Sequence, residues 1–125
     1  MNIDKLKQAI EIINLMDDQP IKSSGINSFA IGESVIIRTY SAGVWFGTLS
    51  QKEGNEVILS KARRMWQWHA KKSISLSAVA NYGVTESKSR FAPAVENIWL
   101  EAIEIIPVTE QAKKNLEDVE DAKAE

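Results

Sequence analysis

The chain has 125 residues, of which 44% are apolar, a formal net charge of −2 and no cysteine. A chain of this length supports one hydrophobic core, so a single domain is expected. Without cysteine it forms neither disulfides nor thiolate metal sites, which excludes a disulfide-stabilised scaffold and zinc chemistry and fits a reducing compartment. No segment approaches the roughly 20 apolar residues of a membrane span, and the N-terminus lacks a signal-peptide pattern, so a soluble protein is expected.

Charge is distributed unevenly along the chain. Residues 31–95 contain nine lysines and arginines against four acids, whereas residues 96–125 contain nine acids against three lysines. An acidic protein with a basic centre attracts long polyanions only weakly, but it can hold a small anion. The distribution therefore favours a compact anionic ligand over a long nucleic acid.

Residues 4–16 predict an amphipathic N-terminal helix. Apolar side chains recur there at spacings of three and four, the period of a helix face: Leu6, Ala9, Ile10, Ile13 and Met16. Asp17, Asp18 and Pro20 predict the end of this helix, and a polar connection follows.

The centre of the chain predicts an antiparallel β-meander. Residues 34–50 predict a β-hairpin, because two runs of β-branched and aromatic residues flank a small turn at 41–43. Gly54 and Asn55 predict a second hairpin turn before the strand that begins at Val57.

Two helices and one strand are predicted in the last third. Residues 73–81 predict a short helix with a serine N-cap and Gly83 just past its end. Residues 97–106 predict a long strand that Pro107 stops. Residues 109–121 carry a thin apolar stripe typical of a marginal helix, and the last few residues are expected to fray.

The expected fold is α+β, with all of residues 1–125 in one domain. It consists of a bent antiparallel β-sheet, a meander or roll, with an N-terminal, a short central and a C-terminal helix. The β-rich core spans residues 34–107, and the C-terminal helix with its acidic tail spans residues 109–125.

Residues 62–69 concentrate unusual chemistry. They contain two of the four arginines, two of the four tryptophans and the only histidine of the chain. A guanidinium group pairs with phosphate through two parallel hydrogen bonds, and an indole offers a flat face to a base or a cation. In a strand Arg63 and Arg64 point to opposite faces, so one is expected to contact a ligand and the other to brace the fold or an interface.

The sequence predicts a binding protein rather than an enzyme. His69 has no cysteine or acid beside it in the sequence, and Glu101 and Glu104 fall on opposite faces of the predicted strand. The glycine-rich phosphate loops GxxxxGK[ST] and GxGxxG are absent from the sequence. We therefore expect no catalytic residue, metal or cofactor, and we expect arginines to bind phosphate.

The candidate ligand-binding residues all lie in the central part of the chain. Four arginines are predicted to bind phosphate, three aromatic residues to stack on a base and a small loop to approach the ligand through its backbone: Arg38, Arg63, Arg64 and Arg90; Trp66, Tyr82 and Phe91; Ser41, Ala42 and Gly43. Each arginine also has an alternative role in a surface ion pair, and each aromatic residue in the core.

Segments 35–49, 62–69, 76–83 and 89–91 resemble a phage family of small proteins, the first type of Thoeris anti-defence protein. The resemblance covers about residues 34–106. It implies a sponge that sequesters, without cleaving them, the cyclic ADP-ribose isomers (glycocyclic ADP-ribose among them) made by a bacterial TIR-domain enzyme, and so blocks Thoeris immunity in the host bacterial cytoplasm. It also implies homo-oligomers, from dimers to hexamers, with ligand pockets between protomers. Some members also hold cyclic oligonucleotides at separate sites.

Two other functions use the same side chains. A single-stranded RNA or oligonucleotide binder would use the arginines for the backbone and the tryptophans for stacking, with affinity that falls steeply with salt. An inhibitor of a host protein would use the aromatic residues as hot spots and the acidic tail for electrostatic steering.

Overall fold

The computed structural model describes residues 25–123, so the predicted helix at 4–16 lies outside the described residues. The described chain forms five strands and two α-helices: β1 (Ser34–Thr39), β2 (Val44–Glu53), β3 (Glu56–Gln67), α1 (Leu76–Tyr82), β4 (Arg90–Phe91), β5 (Val95–Pro107) and α2 (Glu110–Asp118). All strand pairings are antiparallel. The α+β class and the antiparallel sheet are therefore confirmed. Neither described helix is long and apolar enough to cross a membrane.

Four of the strands form a closed ring of pairings. β2 pairs with β1 and β3, and β5 pairs with the same two strands. The length of β5 permits this closure, because Ile98 near its start opposes Leu59 of β3 and Ile106 near its end opposes Ile36 of β1. Register shifts in β1 and β2 provide the local bends that closure requires. The four strands thus form a small antiparallel barrel. The short strand β4 pairs with the end of β3 and extends the sheet there.

The barrel separates two hydrophobic clusters. Alternation along β1 sends Val35 and Ile37 into the barrel and Ile36 to its outer side, where the helices pack. The inner cluster also contains Trp45, Leu49, Val57, Leu59 and Leu100. The outer cluster joins Phe46, Met65 and Phe91 to α1 and α2. Both faces of β1 are therefore buried, which explains its nearly continuous apolar sequence.

The helix boundaries differ slightly from the predicted ones. α1 begins after Ser75, whose side chain accepts a hydrogen bond from the Ala78 N–H, and Gly83 ends it with a φ of 90°. Ser73 does not serve as the cap and has a φ of 62°. α2 begins after Thr109, which caps the Ala112 N–H, and it ends at Asp118 rather than residue 121.

Asn115 links α2 to the segment that follows α1, and this link provides a stability test. Its Oδ1 accepts a hydrogen bond from Val84 N at 2.7 Å, and its Nδ2 donates to Val84 O at 3.1 Å. Asn115→Ala removes the hydrogen-bond partners of both backbone groups of Val84, which is buried. We therefore expect the free energy of unfolding in urea to fall by about 2 kcal/mol. Lys114→Ala, on the exposed side of α2, is the control and should change it by less than about 0.5 kcal/mol. Equal stabilities of the two variants would contradict the role of Asn115.

Candidate functional site

Arg64 lies over Trp45 at the end of the barrel where β1 turns into β2. The two residues are cross-strand partners, and the guanidinium carbon is 4.7 Å from the centroid of the indole ring. The ring is buried and held in place, because its Nε1 donates a hydrogen bond to Ala42 O at 3.0 Å. Arg64 itself is exposed and makes no ion pair with any of residues 25–123. A guanidinium group that is fixed by an aromatic ring and still has free donors suits phosphate binding.

Of the predicted loop at 41–43, Gly43 lies against Arg64, whereas Ser41 and Ala42 line a different groove, with Trp99 and Ile103. A Cβ atom built on Gly43 would lie 3.8 Å from Arg64 Nε, so the backbone approaches this side chain closely. Thr39 fixes the turn, because its hydroxyl donates to Gly43 O and accepts from Ala42 N, each at 2.8 Å. The Ala42 N–H is therefore already bonded within the turn and is not available to a ligand.

Trp66 and Arg90 form a second cation–tryptophan pair beside the first. Trp66 follows Arg64 by two residues in β3 and lines the same groove, although the register with β4 shifts between Met65 and Gln67. Its side chain is 70% exposed, and the guanidinium carbon of Arg90 is 5.4 Å from its ring centroid. Arg90 also makes no ion pair within the described part of the chain. Arg64, Trp66 and Arg90 thus place two available cations around one exposed aromatic ring.

A groove of about 350 Å³ runs along this face and is lined by Arg64, Trp66, Ala92, Pro93, Ala122 and Lys123. A second groove of about 460 Å³ shares Ala122 and Lys123 with it and includes Arg90. The second groove also contains the carboxylates of Glu86, Asp118, Glu120 and Asp121, which disfavour an anionic ligand. We call the first groove together with Arg90 the Arg–Trp surface. It combines three cations with an apolar floor.

Arg63 points away from this surface, as the strand alternation predicts. Its side chain is 7% exposed and donates hydrogen bonds to Ala92 O, Leu116 O and Asp121 Oδ1. Its guanidinium carbon also lies 5.0 Å from the ring centroid of Phe91. Arg63 therefore braces the fold, and it is removed from the predicted phosphate-binding set.

Three other predicted site residues do not line the groove of the Arg–Trp surface. Phe91 is fully buried in the outer hydrophobic cluster, so its predicted stacking on a base is corrected to a core position. Arg38 forms an ion pair with Glu104 at 2.9 Å, and both side chains are half-exposed. Tyr82 is 38% exposed at the end of α1, with Lys72 Nζ 5.0 Å from its ring centroid, and its stacking on a base stays a prediction.

The contribution of the C-terminal tail was not predicted from the sequence. Asp121 and Ala122 are paired with the barrel rather than frayed: Ala122 N donates to Phe91 O at 2.8 Å, and Asp121 forms a bridge with Phe91. This path places Lys123 in the groove beside Arg64. No local pattern could have found it, because the contact that fixes the tail joins Asp121 to Arg63, 58 residues earlier.

The fold and the site define a small antiparallel barrel protein with an exposed surface that combines Arg64, Arg90 and Lys123 with the ring of Trp66. The chain belongs to a family described as a domain of unknown function (DUF6948), which it matches over residues 32–116. That range contains Arg64, Trp66 and Arg90, whereas Lys123 lies beyond it. Neither a curated protein nor a solved structure matches the chain significantly.

Proposed function

We propose that the protein binds and sequesters cyclic ADP-ribose isomers without cleaving them, and so blocks Thoeris immunity in the cytoplasm of a host bacterium. The observation that supports this is the Arg–Trp surface, where Arg64 and Arg90 each contact a tryptophan and flank the exposed ring of Trp66. The resemblance of residues 34–106 to Thoeris anti-defence proteins of the first type supplies the identity of the ligand.

The chemistry of the surface matches the parts of such a ligand. A cyclic ADP-ribose isomer carries a pyrophosphate, two riboses and an adenine. Arg64 and Lys123 lie in one groove and would pair with the pyrophosphate. The exposed face of Trp66 would stack on the adenine, and Ala92 and Pro93 would cover its edge. A single exposed surface thus provides charge and stacking for one compact ligand.

We propose further that the complete pocket lies between protomers of a homo-oligomer. Tight small-molecule sites bury most of the ligand surface, roughly 70–90% of it. The groove on one chain is open, and Trp66 remains 70% exposed, so one protomer would cover a ligand from one side only. A second copy that closes over Trp66 would provide the missing burial and slow the release of the ligand.

Calorimetric titration with cyclic ADP-ribose isomers tests the proposal, followed by heat denaturation and analysis of the released ligand. We expect nanomolar affinity and chemically unchanged ligand. Cleaved ligand would indicate an enzyme. Absence of heat with every isomer would reject sequestration and favour a protein partner. Affinity for single-stranded oligonucleotides that falls steeply between low and high salt would favour a nucleic-acid binder.

Trp66→Ala tests the stacking role directly. Stacking of a base on an aromatic side chain contributes about 1–3 kcal/mol, so we expect the affinity for the isomer to fall about 5- to 150-fold. The exposed position of Trp66 means that folding should be preserved. Trp99→Ala, at another exposed tryptophan, is the control and should change affinity by less than about twofold. Equal losses in the two variants would place the base elsewhere.

A further inference from the structure

We propose that an apolar surface on the outer side of β5, formed by Phe29, Trp99 and Ile103, is the docking site for residues 4–16 of the same chain. This inference does not depend on the proposed ligand. It rests on the exposure of these side chains, on the point at which the described chain begins and on the apolar stripe in residues 4–16.

The three side chains belong to a continuous surface. Trp99 and Ile103 line one groove of about 320 Å³, and Ile103 and Phe29 line the next, also of about 320 Å³. Asn55 takes part in both grooves, so they adjoin. Each of the three side chains is about half-exposed: 46% for Phe29, 53% for Trp99 and 51% for Ile103. Contiguous exposed apolar side chains of this size mark surfaces that another element covers.

The described chain begins beside this surface. Asn27 lines a third groove together with Trp99, and its Oδ1 accepts a hydrogen bond from Gly54 N at 3.0 Å. The preceding segment 17–24 has eight residues and reaches about 26 Å when extended. Residues 4–16 are therefore within reach of the surface.

The dimensions and chemistry of the two partners correspond. A helix of residues 4–16 would be about 20 Å long, and Trp99 and Ile103 on one face of β5 are about 14 Å apart. Its predicted stripe contains Leu6, Ile10 and Ile13, which suit an apolar surface.

Charge is compatible with the same pairing. The grooves beside Trp99 contain carboxylates, among them Glu53 and Glu101, together with Lys52. Residues 4–16 carry Lys5 and Lys7 against Asp4 and Glu11, so the segment has no net charge that the surface would repel. The partner with the required shape and proximity is thus the N-terminal segment of the chain itself.

Cysteine crosslinking in the full chain tests this assignment, because the natural sequence contains no cysteine. The double variant Ile13→Cys, Ile103→Cys is treated with a short bismaleimide and run on a denaturing gel. We expect an intrachain product of monomer size. The control is Ile13→Cys, Ile74→Cys, because Ile74 is 90% exposed in the loop before α1 and lines none of these grooves. It should give at least about tenfold less intrachain product.

Two results would overturn the proposal. A product of dimer size would show that a second copy occupies the surface, and no product above the control would show that residues 4–16 lie elsewhere. Circular dichroism establishes that both double variants are folded.

A second measurement compares Ile10→Glu with Gln8→Glu, which places the same charge on the polar side of the predicted helix. We expect Ile10→Glu alone to increase binding of a fluorescent apolar dye severalfold, and equal dye binding by both variants would also overturn the proposal.

Discussion

Arg64→Ala is expected to lower the affinity for cyclic ADP-ribose isomers about 100-fold while the protein stays folded. A charge-assisted hydrogen bond contributes about 1.5–3 kcal/mol, and the loss of a two-pronged contact with phosphate corresponds to about two orders of magnitude in Kd. Arg64 is exposed, and it contacts Trp45 only at the face of the indole ring. Removal of the Arg64 side chain should therefore leave the inner hydrophobic cluster intact. Calorimetric titration gives the affinity, and thermal denaturation verifies folding.

Arg64→Lys separates charge from geometry at the same position. Lysine keeps the positive charge but lacks the planar fork that stacks on Trp45 and binds two phosphate oxygens together. We expect an affinity between those of the natural protein and Arg64→Ala. Arg38→Ala is the matched control, because this exposed arginine is neutralised by Glu104 and should affect affinity by less than about threefold. If Arg38→Ala weakened binding as much as Arg64→Ala, the phosphate would have to be placed beside the β1–β5 pair instead.

Local patterns predicted the part of the site that depends on strand alternation. The two-residue period of a strand separates Arg63 from Arg64 and also places Trp66 beside Arg64, and both relations are observed. The buried position of Phe91 could not be predicted in this way, because the sequence predicted no strand at residues 90–91; in the structure Arg90 contacts the exposed ring of Trp66 and Phe91 lies in the core.

Pairings between distant residues determine the rest and leave no local pattern. The barrel closes because Ile36 opposes Ile106, residues near the two ends of the β-rich core. Which of two adjacent arginines is buried depends on distant segments, since Arg63 lies on the side that Ala92 and Leu116 cover. The hairpins at 34–50 and at Gly54 were predictable because turn and strands are contiguous in sequence.

Arg63→Ala is expected to reduce the free energy of unfolding by about 3 kcal/mol, the largest stability effect among these variants. The buried guanidinium group donates to two backbone carbonyls, Ala92 O and Leu116 O, at 3.2 Å each. Alanine leaves both acceptors unpaired and opens a cavity beside Phe91, and each of these effects is destabilising. Urea denaturation followed by circular dichroism measures the change.

Asp121→Ala distinguishes the backbone contacts of Arg63 from its ion pair. The Asp121 side chain is 57% exposed and lies 3.0 Å from Nη2 of Arg63, whose side chain is 9% exposed, so solvent screens only the carboxylate and the loss of the pair should cost about 1–2 kcal/mol, less than the loss of Arg63. A large loss from Asp121→Ala and a small one from Arg63→Ala would contradict this assignment. The ligand affinity of the two variants shows whether Arg63 stabilises the fold or contacts the ligand. Arg63 holds the tail that places Lys123 in the groove. Arg63→Ala should therefore weaken ligand binding only to the extent that the tail detaches. Folded Arg63→Ala protein that lost affinity as strongly as Arg64→Ala would instead mean that both arginines contact the ligand, against the alternation of β3.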